Sequence, residues 1–181
     1  VNNALKRMSK NMDLLDKKIT NYIVYEGDCM NYKIVKIDAR NYSLFDDMIY
    51  WRMNGSERLP LKEAIKQSII NELSNPNLFI YVVEVERRYV GWISLIYMPK
   101  VGKYNGFGHV YVDELWIHPS YRRNGFAYEL MKKAEILRQE KNATGIRLYV
   151  DVDNISAKKL YEQCDFSVSC SAYLMEKQLQ L

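Results

Sequence analysis

The chain has 181 residues, 48% of them hydrophobic and 27% charged, with a formal net charge of +4. This is ordinary for a soluble globular protein, long enough for one domain with a proper core and short for two. Lys6, Arg7, Lys10, Lys17 and Lys18 carry most of the basic excess against Asp13 and Asp16, so the remaining body is near neutral and a nucleic-acid-binding surface is not indicated.

Residues 4–19 place Leu5, Met8, Met12, Leu15 and Ile19 three and four apart. That spacing draws one apolar helical stripe, so residues 1–29 read as a largely helical N-terminal extension to a domain spanning 30–181. The first 13 residues have no apolar core of the kind a secretory signal carries. Residues 32–38 alternate and are β-rich, which predicts a strand. Residues 43–53 and 61–73 read as helices, with Pro60 near the start of the second. Residues 78–86 and 89–98 are strands, expected to form a hairpin across Arg87-Arg88. Their apolar runs are too short to cross a bilayer, which takes about 20 residues.

Residues 99–108 hold three of the eight glycines and one of the four prolines and read as a flexible loop. A strand is expected at 109–118, a helix at 125–141, a strand at 146–152 and a short helix at 154–164 with Asn154 at its N-cap. Two further strands are expected at 166–169 and 172–177. One sheet with helices on its faces is the economical arrangement of this order. The helix between 109–118 and 146–152 makes those two strands parallel.

Cys29, Cys164 and Cys170 are an odd set with no CxxC spacing, which argues against a disulfide framework or a zinc site. His109 and His118 are too few for a His-rich metal site, so no metal is expected, and a reducing cytoplasm is the default compartment.

The stretch "HPSYRRNGFAYELMKKA" sets Arg122 and Arg123 just before a helix start, where the macrodipole is already positive. An anion belongs there. Unpaired N–H groups at a helix N-terminus bind anions, Gly125 lets the backbone approach a ligand, and paired arginines add charge-assisted contacts to phosphate.

The segment "LWIHPSYRRNGFAYELM" resembles the central motif of the GNAT superfamily, the acyl-coenzyme A-dependent N-acetyltransferases. That motif is an arginine or glutamine, two residues, glycine, one residue, then glycine or alanine; here Arg122, Arg123-Asn124, Gly125, Phe126 and Ala127 fill it. "DNISAKKLYEQCDF" resembles the family's later helix, with Asn154, Ala157, Leu160, Tyr161 and Phe166 in matching places. The strong resemblance spans about residues 109–166, and the element order fits from near Met30 to Lys177. Asp165 stands where the family usually has glycine, at a position suited to left-handed backbone.

The resemblance implies an α/β fold: a single mixed central sheet, GNAT-like, flanked by helices on both faces, here with the N-terminal helical extension. It implies acetyl-CoA as co-substrate and direct acetyl transfer to a primary amine, with no acyl-enzyme. Cys164, on the apolar side of its helix, is read as packing rather than as a nucleophile. The loop Arg122–Ala127 would hold pyrophosphate. The backbone of Leu115, Trp116 and Ile117 would pair with the pantetheine arm, and Asn154 and Ala157 would meet the coenzyme from the later helix. Tyr161 matches the family tyrosine that protonates the departing sulfur. Glu114 is the first choice for the carboxylate that takes the amine proton and Asp113 the second, since a bulge in that strand would shift their parity.

The expected acceptor is a small cationic amine of polyamine or aminoglycoside type, approaching Tyr50, Trp51, Arg52 and Glu57. A protein or peptide N-acetyltransferase and a non-catalytic acyl-CoA sensor are the alternatives. A membrane or nucleic-acid partner is not expected. The resemblance also allows a homodimer, to which the stripe at 5–19 would contribute.

Overall fold

The computed structural model describes residues 21–25, 28–57, 59–102, 107–171 and 175–177. The helix expected at 4–19, part of the 99–108 loop and half of the strand expected at 172–177 lie outside them. The chain divides into two compact units, one ending at Leu148 and one beginning at Tyr149.

The first unit is built on a six-stranded sheet in sequence order: β1 (Asn21–Tyr25), β2 (Asp28–Lys36), β3 (Leu78–Val85), β4 (Arg88–Met98), β5 (His109–Ile117) and β6 (Ile146–Arg147). All neighbours are antiparallel except β5 and β6, which run parallel as the intervening helix requires. Strand β1 and the start of β2 fall within residues 21–29, so the sheet begins earlier than the sequence suggested. The β3–β4 hairpin closes over Glu86-Arg87, one residue before the expected pair. Both residues have positive φ, 47° and 65°, the backbone that matches a two-residue turn to strand twist.

Helix α1 (Tyr42–Asn54) and helix α2 (Glu63–Leu73) cover one face of the sheet. Tyr42, Phe45 and Met48, three apart, bury one side of α1 against Ile37, Ile80, Val82 and Trp92, and Ile69, Ile70 and Leu73 of α2 join the same cluster. Helix α3 (Phe126–Glu140) covers the other face and packs on β3, β4 and β5. Its Phe126, Leu130, Met131, Ala134 and Leu137 are buried, and Phe126 meets Tyr32 of β2 at 5.3 Å between ring centres. The sheet is thus mixed and covered by helices on both faces.

The second unit contains helix α4 (Ile155–Gln163). Its end is a Schellman motif. Asp165 takes the left-handed conformation at φ 63°, its N–H donates to the Glu162 carbonyl at 3.1 Å, and the Phe166 N–H donates to the Tyr161 carbonyl at 3.0 Å. Tyr161 and Phe166 supply the accompanying apolar contact, with ring centres 6.0 Å apart.

Two strand expectations are corrected. Residues 148–152 do not continue β6: Tyr149 and Val152 are 72% and 77% exposed. Residues 166–169 form no strand, and Val168 is 80% exposed. Both segments alternate correctly, but alternation forms a strand only where a partner edge supplies hydrogen bonds and a face to bury.

Candidate active site

Strand β5 carries the feature that organises the site. Ser94 pairs with Glu114 while Leu95 pairs with Val112, so Asp113 is the extra residue of a β-bulge. The bulge leaves Asp113 exposed and turns Glu114 and Trp116 to the α1 face. There Trp116 meets its cross-strand neighbour Trp92 at 4.9 Å between ring centres.

Glu114 is held from two sides. Arg52, in the last turn of α1, forms an ion pair with one carboxylate oxygen. The Trp92 indole N–H donates to the other at 3.3 Å. The Arg52 guanidinium also lies 5.0 Å from the Trp92 ring centre and 5.7 Å from that of Trp116. His118, one residue past β5, stacks on Trp51 at 4.7 Å, and its Nδ1 accepts from the Ser120 N–H at 3.2 Å. His118 therefore caps the 3-10 turn Pro119–Tyr121.

The loop into α3 has the backbone of an anion nest. Arg122 has φ −67°, Arg123 φ +67° and Gly125 φ +75°, with Asn124 on the negative side between them. Alternating signs of φ turn successive N–H groups toward one concavity. Gly125 is the N-cap of α3 and offers no side chain to the first-turn N–H groups, which have no acceptor within the helix. The Arg122 side chain is partly committed, since its Nε donates to the Ile117 carbonyl at 3.1 Å. Asn124 also braces the loop, donating to the Tyr121 carbonyl at 3.1 Å.

The neighbouring strand edge is open. β6 pairs with β5 only at Val110 and Tyr111. Among the described residues no ladder covers Leu115, Trp116 and Ile117 on that side. An extended, amide-bearing arm can hydrogen-bond there as an added strand does. The residues present therefore fit a coenzyme A molecule: a nest and helix N-terminus for its diphosphate, and for its pantetheine a strand edge on which Arg122 shares the Ile117 carbonyl.

In the second unit, Asn154 caps α4, its Oδ1 accepting from the Ala157 N–H at 3.1 Å. Burial raises the Tyr161 phenol above its ordinary value, with Cys164 adding to the effect. The Cys164 thiol is also raised, by burial and then by Asp165. A thiol in that state is a poor nucleophile, which agrees with its reading as a packing residue.

The sequence model described as the Acetyltransferase (GNAT) family matches residues 43–166. This chain belongs to the GNAT acetyltransferase family.

This GNAT chain is 30% identical over 91 residues to GCN5-related N-acetyltransferase 4, chloroplastic, from Arabidopsis thaliana; the match covers 46% of this chain and 31% of that protein. The chain thus spans about a third of that relative's length. Its fold is similar to an aminoglycoside acetyltransferase from an uncultured soil metagenomic sample, in complex with sisomicin, with a TM-score of 0.68 and 14% identity over 82% of this chain and 97% of that one. It is similar also to an aminoglycoside N-acetyltransferase in complex with coenzyme A, with a TM-score of 0.66 and 12% identity over 84% and 99%. A ribosomal-protein-alanine N-acetyltransferase from Brucella melitensis gives a TM-score of 0.60 and 18% identity over 81% and 99%. At these identities the solved structures speak for the fold.

The structure thus brings Glu114, Arg52, Trp92 and Trp116 to one corner of the GNAT sheet and Arg122–Phe126 to another. Sequence reasoning had placed Arg52 near the acceptor without its partner. It had missed the Trp92 and Trp116 side chains, because nothing local marks a contact such as that of Trp92 with Glu114, 22 residues away, or the face a bulge selects. No helix among the described residues is long and apolar enough to cross a membrane.

Proposed function

We propose that this chain transfers an acetyl group from acetyl-CoA directly to a primary amine of a small cationic molecule. The observation that carries the reading is the nest at Arg122–Gly125, joined to the open β5 edge and placed on the strand that bears Glu114. An aminoglycoside or polyamine is the acceptor class. Support for it comes from the names of the similar folds and from the aromatic and carboxylate side chains around Arg52.

Acetyl-CoA brings the activated thioester. The chain's part is to bind, orient and move protons. Backbone N–H groups of the nest and the first turn of α3 take the diphosphate, with Arg123 and the free end of Arg122 adding charge. Leu115 and Ile117 take the pantetheine amides, and an N–H at this edge supports the oxyanion that forms as the amine attacks the carbonyl carbon. Glu114 accepts the proton the amine must lose, directly or through water, with Asp113 as the second carboxylate. The acid assigned to the departing sulfur is Tyr161. Its raised phenol stays protonated through the neutral range and so holds a proton to give.

The test is free-thiol release from acetyl-CoA against polyamines, aminoglycosides, amino acids and short peptides, with a no-acceptor control. Strong turnover with one cationic class supports the proposal and names its substrate. Turnover only with peptides would replace the acceptor class, and silence across the panel with coenzyme bound would replace catalysis by sensing.

A further inference from the structure

Arg52 does something its helix does not need. Helix α1 is anchored by Tyr42, Phe45 and Met48, while Arg52 sits in the last turn with its side chain 32% exposed. A partly exposed ion pair contributes little to stability. Yet the guanidinium is set against two indole rings, at 5.0 Å and 5.7 Å, and against the Glu114 carboxylate. Indole faces and a carboxylate around one cation are the components that recognise an organic ammonium. Glu114 is 43% exposed on its side chain, so solvent reaches the corner. Trp92 is itself 1% exposed and pinned by its N–H to Glu114, which makes the corner preformed.

We propose that Trp92, Trp116 and Glu114 form a cation site that the chain's own Arg52 fills as an internal stand-in, and that the acceptor's ammonium enters by displacing that guanidinium. The word "acceptor" rests on the acetyltransferase reading; the cation site does not. Displacement has a chemical consequence. While Arg52 is paired, Glu114 faces a cation that gives up no proton in water. Once an alkylammonium replaces it, the same carboxylate faces the group that must be deprotonated before attack. The tether also sets selectivity. A side chain attached beside its site competes at an effective concentration of about millimolar or more, so a weak monocation is excluded. A polycation, attracted by more than one charge, is favoured.

The probe is tetramethylammonium, titrated against tryptophan fluorescence in the full chain, with circular dichroism as the check on folding. The variants are Arg52→Met, which keeps the side-chain volume, and Arg52→Ala. The native chain should bind the probe weakly. Either folded variant should bind it about 10-fold more tightly or better, and adding Trp116→Leu should abolish the gain. The proposal is overturned if neither folded variant gains affinity, or if the gain survives loss of Trp116. The readout is binding alone. A gain without any acetyl transfer would therefore sink the enzymatic reading and leave the cation site standing, whereas transfer without a gain would do the reverse.

Discussion

Gly91 and Ile117 face each other across β4 and β5 with no space for a side chain between them. A Cβ on Gly91 would stand 2.5 Å from Ile117 Cδ1 and 2.7 Å from the Trp116 carbonyl oxygen. Those are the residues whose outer edge is assigned to pantetheine, and His118, which opens the loop, hangs on the Val90 carbonyl at 2.8 Å. Gly91→Ala should therefore push the two strands apart where the coenzyme is to bind. The expected loss is about 1–3 kcal/mol in denaturant unfolding, the range for overpacking. Coenzyme A affinity should fall with it by calorimetry. Unchanged stability would mean that the strands do not meet as described.

Tyr161→Phe removes the proposed proton donor and keeps the ring against Phe166. Turnover should fall by about 10²-fold or more, with coenzyme affinity held. The raised phenol also predicts the pH profile. In the proposed mechanism its protonated form is the active one and persists past the ordinary tyrosine range, so this group should impose no loss at neutral pH and a loss only on the alkaline side. If Tyr161→Phe turns over at the native rate, Tyr161 leaves the mechanism.

Tyr32 is buried beneath the first turn of α3, and burial together with Glu129 pushes its phenol up to about 12. The folded state thus holds this proton more tightly than the unfolded chain, where the value is near 10. The contribution is fully present below about pH 10 and is lost as the pH rises toward 12. Urea midpoints should therefore drop more steeply above pH 10 in the native chain than in Tyr32→Phe. Parallel curves for the two proteins would remove Tyr32 as the cause.

Asp165 holds the left-handed position of the α4 cap at φ 63°. A β-carbon there costs about 1 kcal/mol against glycine, which adopts the conformation freely. Asp165→Gly should raise the melting temperature by a few degrees. Its hydrogen bonds come from the backbone of 162–166 and are unaffected. A lower melting temperature would show that the Asp165 side chain has a stabilising role of its own.

The residue pattern alone determined a good deal. Among the described residues, alternation and three-four spacing located β2 to β5 and the four α-helices, because burying one face of an element imposes its period on the chain itself. The turn into α3 was legible for a similar reason. Arg122, Arg123 and Gly125 set local backbone geometry and adjacent charge, and local geometry is written in adjacent residues. Even the left-handed turn at Asp165 was visible as a missing glycine.

What tertiary structure decided is everything that needs a partner distant in sequence. The strand pattern at 146–152 stopped after Arg147 because a strand exists only as far as another edge accepts its hydrogen bonds. Which of Asp113 and Glu114 faces α1 turned on one extra residue in β5, and a bulge reverses every side chain beyond it without altering composition or period. The meeting of Arg52 with Glu114, Trp92 and Trp116 exists only because α1 packs across the sheet. Periodicity states which face of each element is buried; which residues then share a corner is settled by how those faces come together.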